Sequence, residues 1–316
     1  MAIIKQKTTL LIALMVVSLV IVGCGGAQQQ GEEAQQQEEE VEVEQEEVEQ
    51  EEEKKKITLG YVQWASAEAS TFLMEEVLER AGYDVERMTL QAGAMYQGLS
   101  TGDLDAMVCA WLPKTHKSYW EEYGNDLVDL GTNYEGARIG LAVPEYVDVD
   151  SIEELKNNAD KFDNRIVGVD PGAGIMGVTS DTAMDEYGLS DWDLVESSGP
   201  AMTATLEQAI NQEEAVVVTG WTPHWKWFSY DLKFLEDPKG VYGEPEDIKT
   251  LGRTGIEEDQ PGAAKILKKY KLNDDQLGEL IKMAKDADDL EKAAAKYVDQ
   301  NKELVNEWLP KDKKLN

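Results

Sequence analysis

The chain has 316 residues, 42% of them hydrophobic, which is too many for one small core and enough for two lobes of ordinary domain size. Residues 1–56 carry thirteen glutamates and five lysines, so −25 of the formal net charge of −33 belongs to the remainder. That balance excludes nucleic acid as an expected partner, because a phosphate backbone needs a basic face; it is read as a solvated surface that keeps the protein soluble.

Lys5 and Lys7 precede an apolar run from Thr8 to Val22, which ends in Ile21-Val22-Gly23-Cys24-Gly25. A basic start, an apolar stretch short for a membrane span and a small-residue exit predict a signal peptide over residues 1–23. The cysteine directly after the small residue resembles a bacterial lipobox. Cys24 is therefore expected to carry lipid and to anchor the chain on the extracytoplasmic face of the cell membrane. Cys109, the other cysteine, then has no internal partner and reads as buried core. Residues 24–56 are expected to be the lipidated Cys24 and a disordered tether. Gln28 to Glu53 is almost entirely Gln and Glu with isolated Val, the composition of a self-repelling, disordered tether.

Order is expected from Ile57. Ile57 to Val62 predicts a strand. Ala67 to Ala81 predicts a helix with Phe72, Leu73, Val77 and Leu78 on one face, closed by Gly82. A strand over Tyr83 to Leu90, a short helix over Ala92 to Ser100 and a strand over Ala106 to Cys109 follow. Ile139 to Val143 predicts a strand ended by Pro144, and Ser151-Ile152-Glu153-Glu154 a capping box. Then come a strand over Ile166 to Val169, a turn over Asp170 to Met176 into a helix, an amphipathic helix over Ala201 to Ile210 and a strand over Val216 to Val218. Helices are expected over Ala263–Tyr270, Asp274–Ala284 and Leu290–Trp308. This alternation predicts an α/β fold with a largely parallel sheet.

Two strings share one design: Ala110-Trp111-Leu112-Pro113-Lys114-Thr115-His116 and Gly220-Trp221-Thr222-Pro223-His224. Each follows an apolar run, and they hold the only two histidines. In open α/β sheets, ligands sit beyond the carboxyl ends of the strands. Four segments are expected there: Gln63 to Ser66, Trp111 to His116, Asp170 to Met176, and Trp221 to His224. Three supply an indole, whose negative π face attracts a bulky, poorly hydrated cation. The fourth supplies glycines before a helix, where exposed backbone N–H groups take an anion, and a histidine adds a donor. Together they suit a small zwitterion with a quaternary ammonium and a carboxylate. A single strand-terminal tryptophan is more often core, and Trp120, Trp192, Trp225, Trp227 and Trp308 are assigned to that class. No nucleophile–base pair, metal-ligand cluster or phosphate loop is apparent, so neither an enzyme nor a cofactor nor a metal is expected.

Together, Tyr61-Val62-Gln63-Trp64, the two Trp-x-Pro strings, Asp170-Pro171-Gly172-Ala173-Gly174-Ile175-Met176 and Ala201-Met202-Thr203-Ala204-Thr205-Leu206 resemble the glycine betaine-binding proteins of compatible-solute ABC transporters, from Ile57 to the last helix. The resemblance implies a two-lobed, type II periplasmic-binding-protein-like fold with ligand in the interlobe cleft. Lobe 1 would comprise residues 57–143 plus about 240–310, and lobe 2 residues 144–235. It implies an ammonium cage of Trp64, Trp111 and Trp221, and a carboxylate site of the Gly174 and Ile175 amides with His116. His224 is expected to be structural. The implied partners are glycine betaine or a related solute (proline betaine, carnitine or choline), a permease and an ATPase; a ligand-sensing role is the alternative. Some members carry the lobes in the opposite order, and members tend to have an acidic residue where this chain has Ala65.

Overall fold

A computed structural model describes residues 55–316. The expected signal peptide, Cys24 and nearly all of the tether lie outside the described residues. Among the described residues nine strands form one sheet: β1 (Lys56–Tyr61), β2 (Asp84–Thr89), β3 (Ala106–Leu112), β4 (Leu127–Pro144), β5 (Arg165–Val167), β6 (Asp193–Val195), β7 (Val218–Thr222), β8 (Leu232–Phe234) and β9 (Glu246–Arg253). Their order is β2-β1-β3-β9-β4-β7-β5-β6, with β8 paired to β4.

The sheet is mixed rather than largely parallel. β1, β2 and β3 are parallel at one end, and β5, β6 and β7 at the other. Between them every pairing is antiparallel. The 18-residue β4 joins the two ends: Leu127 to Ala137 pair with β9, and Arg138 onward pair with β7 and β8. The sequence reading placed this strand at Ile139 because its first half lacks a continuous apolar run; long-range pairing with β9 makes it a strand. β9 itself was not anticipated, for the same reason.

The parallel ends follow from strand–helix alternation. The helix Ala65–Arg80 buries Phe72, Leu73, Val77 and Leu78, and Gly82, at φ +96°, lets the chain turn back into β2. All seven residues of β3 are buried, as a strand covered on both faces requires. Cys109 is among them; burial pushes its thiol up to about 12, which keeps it unreactive. The C-terminal helices Asp274–Asp286 and Leu290–Gln300 pack on the helix Ala65–Arg80.

Three local expectations are corrected. The single helix over Leu290–Trp308 is two, Leu290–Gln300 and Lys302–Trp308. At the break the Tyr297 carbonyl accepts from both the Asn301 N–H at 2.9 Å and the Asn301 side chain at 3.1 Å. Ser151 does cap a helix, but only the one-turn Ile152–Leu155; Glu154 takes the Asp150 N–H instead of closing the box. The strand expected over Val216–Val218 runs over Val218–Thr222, so Trp221 lies within it. No helix among the described residues is long and apolar enough to cross a membrane.

Candidate functional site

The residues singled out by sequence meet at one pocket. Trp64, Trp111, His116, Gly174, Ile175 and Trp221 all line it. The three indoles are only 7%, 4% and 5% exposed, so the pocket is covered.

Each wall is set by its own element. Trp64 is the N-cap of the helix Ala65–Arg80, just past β1. Trp111 is the penultimate residue of β3. The turn after it passes through a cis Leu112–Pro113 bond and closes with the His116 N–H on the Trp111 carbonyl at 2.9 Å. Glu246, buried on β9, clamps this turn by accepting from the Lys114 N–H at 2.9 Å, the Thr115 N–H and the Thr115 hydroxyl. Trp221 lies in β7 opposite Ile139 and precedes a cis Thr222–Pro223 bond. Behind it, Trp227 Nε1 donates to the Trp221 carbonyl at 2.7 Å. Lys226 Nζ sits 4.0 Å from the Trp221 ring centroid, fully buried and with no hydrogen-bond partner among the described residues. Burial lowers the basicity of that amine well below its ordinary value.

His116 presents a donor. The Trp111 N–H reaches its Nδ1 at 3.2 Å, so Nδ1 is the acceptor nitrogen and Nε2 carries the hydrogen. The Tyr96 hydroxyl, also 3.2 Å from Nδ1, then donates too. Complete burial lowers the imidazole pKa to about 3, so the ring is neutral at ordinary pH. Its Nε2 is buried with no partner among the described residues.

The glycine loop supplies the other donors. Ala173 donates to the Asp170 carbonyl at 3.0 Å and Met176 to the Ala173 carbonyl at 2.9 Å. The N–H groups of Gly174 and Ile175 between them open the helix Gly174–Val178 and have no intrahelical acceptor. Gly174 is required by close approach as well. A Cβ there would lie 2.0 Å from the Thr115 carbonyl oxygen. The helix continues through a π turn, Thr179–Ala183, to Met184–Glu186.

His224, the second motif histidine, does not line the pocket. It packs edge-on to Trp221, with ring centroids 4.8 Å apart, and its Nδ1 accepts the Lys226 N–H at 3.0 Å. Sequence reasoning missed Thr115, Ile139, Val169 and Ala173 as lining residues. It also missed two bonds to the glycine loop: Trp64 Nε1 to Asp170 Oδ2 at 2.9 Å, and the Tyr119 hydroxyl to the Gly172 carbonyl at 2.7 Å. Asp170 stood in the loop motif, but its partner is 106 residues away. Glu246 had no local signal at all.

The arrangement is an apolar aromatic box with N–H donors on one side. No group of three or more His, Cys, Asp or Glu able to hold a metal occurs among the described residues.

Residues 55–300 match a family model described as the substrate binding domain of ABC-type glycine betaine transport systems. A glycine betaine/carnitine transport binding protein, GbuC, from Listeria monocytogenes is 41% identical over 155 residues, 48% of this chain and 51% of that protein. The chain thus spans about half the length of this curated relative. Among solved structures, lactococcal OpuAC, closed and complexed with glycine betaine, is 38% identical with a TM-score of 0.77, covering 81% of this chain and 100% of that one. The glycine/betaine/L-proline-binding protein ProX from Borrelia burgdorferi is 38% identical with a TM-score of 0.79, covering 82% and 98%. An ABC-transporter choline-binding protein in complex with choline is 26% identical with a TM-score of 0.74, covering 81% and 93%.

Proposed function

Because the chain belongs to the family of substrate binding domains of ABC-type glycine betaine transport systems, we propose that it captures glycine betaine outside the cytoplasm and hands it to a membrane permease driven by an ATPase. The family is one of transport proteins, not enzymes. On this reading Trp64, Trp111 and Trp221 cage the quaternary ammonium, and the Gly174 and Ile175 amides with His116 Nε2–H hold the carboxylate. A methylated ammonium is cheap to dehydrate and gains from several indole faces, each contact contributing up to about 2 kcal/mol when desolvated. The carboxylate receives three fixed donors, two of them at a helix N-terminus.

The observation that carries the choice of ligand is the buried, unpartnered His116 Nε2 in the same pocket as the three indoles. A buried donor without an acceptor is costly, and a carboxylate removes the cost. Choline, the ligand of one structural relative, offers no carboxylate to it. The two ends of the sheet are read as lobes, residues 57–143 plus about 240–310 and residues 144–235, closing on the ligand because it touches both. Lipid on Cys24 would hold the chain at the membrane. Calorimetric titration of the purified chain with glycine betaine and with choline tests the reading. Betaine is expected to bind and to outcompete choline; no betaine heat over a broad concentration range refutes it.

A further inference from the structure

We infer that Asp170 is a positioning residue of the site: its carboxylate fixes the cage indole Trp64 and latches the glycine loop shut over a cationic ligand. The inference rests on the proposed cation-binding role of the pocket.

Trp64 follows β1 and Asp170 follows β5, and in the sheet those strands are separated by β3, β9, β4 and β7. The 2.9 Å bond from Trp64 Nε1 to Asp170 Oδ2 therefore ties together opposite sides of the pocket. A second tie falls on the same loop, from the Tyr119 hydroxyl to the Gly172 carbonyl at 2.7 Å. Gly174, at the end of the loop, is close against the Thr115 carbonyl. All three contacts come from the β1–β3 end of the sheet and fall on Asp170, Gly172 and Gly174 at the other end. Such bonds can exist only while the loop lies against Trp64 and Tyr119, so they belong to the covered form of the pocket.

The chemistry of Asp170 goes further than a latch. Its Oδ2 accepts from an uncharged indole, and its Oδ1 is buried with no partner among the described residues. The carboxylate charge is thus not compensated by its own hydrogen bonds. An N–H···O⁻ bond is charge-assisted and stronger than a neutral one, so it holds Trp64 in one rotamer. It also draws the indole N–H toward an anion, which enriches the ring's π face. A cation stacked on that ring gains from the enriched face and from the nearby negative charge. Asp170 thereby favours a cationic ligand without touching it.

The test is a double-mutant cycle in the full chain, with Kd from calorimetry and dissociation rates from stopped-flow tryptophan emission, using glycine betaine and choline. Asp170→Ala removes the acceptor and the charge; Asp170→Asn keeps an oxygen for Trp64 Nε1 and removes the charge; Trp64→Phe keeps an aromatic wall and removes the donor. Asp170→Ala is expected to weaken both cations at least tenfold, chiefly through faster dissociation. Asp170→Asn should recover part of that loss, and Asp170→Ala should cost markedly less in the Trp64→Phe background. Wild-type affinity and dissociation rate in Asp170→Ala overturn the inference, as does an equal loss with and without the Trp64 donor. If the wild-type chain binds neither solute, the functional reading falls and the inference with it; if it binds and Asp170→Ala changes nothing, only the inference falls.

Discussion

Replacing His116 by Asn isolates one hydrogen atom of the site. The Asn oxygen can take the Trp111 N–H that Nδ1 takes at 3.2 Å, so the acceptor side is kept. What is lost is the Nε2–H, the buried donor with no partner among the described residues. A hydrogen bond to a charged group contributes about 1.5–3 kcal/mol. At about 1.4 kcal/mol per decade, that is about 10- to 150-fold in Kd for glycine betaine. Choline lacks the carboxylate, so its affinity should change far less, and the betaine-to-choline ratio removes any common loss from repacking. Because burial holds the imidazole pKa at about 3, the ring is neutral from pH 5 to pH 8 and wild-type affinity should be level across that range. Isothermal titration of both solutes at several pH values is the assay. Equal losses for betaine and choline, or a wild-type inflection near pH 6.5 that the variant lacks, would refute the assignment of Nε2–H to the carboxylate.

Four further outcomes are expected. Trp111→Ala should weaken betaine binding by about 1–3 kcal/mol, a desolvated cation–π contact plus lost packing; an unchanged calorimetric Kd removes Trp111 from the cage. Gly174→Ala places a methyl 2.0 Å from a backbone oxygen, so at least a tenfold loss of affinity is expected by titration. Lys226→Met exchanges a buried, unpartnered amine for an apolar side chain of similar length. Its urea midpoint at pH 7 should correspond to a gain of about 1–3 kcal/mol. Finally, both histidines have pKa values depressed by burial, His116 to about 3. Below their unfolded value near 6.5 the unfolded chain binds more protons, so stability present above pH 6.5 is lost as pH falls toward 3. The slope contribution is up to about 1.4 kcal/mol per pH unit for each histidine. Urea midpoints at pH 7 and 4.5 measure it, and His116→Asn should flatten the difference.

Local pattern carried much of this fold. The helix Ala65–Arg80 was legible because its apolar face and its terminating Gly82 are written within twenty residues. β3 was legible because a strand buried on both faces is a continuous apolar run. The middle of the sheet was not. Glu246–Arg253 has only two large apolar residues, Ile248 and Leu251, three positions apart among charged and polar ones, and it becomes a strand only by lying between β3 and β4. The break at Asn301 was missed because helix-face periodicity continues through it, and what marks the break is a side-chain bond from Asn301 to the Tyr297 carbonyl.

The site divides in the same way. By itself the sequence determined which segments offer indoles, glycine-freed amides and a histidine, because those features lie in short strings at strand ends. Only the tertiary structure decided that six of those residues share one pocket and that His116 faces it while His224 packs behind Trp221. It also decided that His116 is neutral with its hydrogen on Nε2, that Lys226 is buried, and that Asp170 and Glu246 hold the walls. Tautomer, burial and partner choice are set by atoms from distant segments, and no local string of residues encodes what will be packed against it.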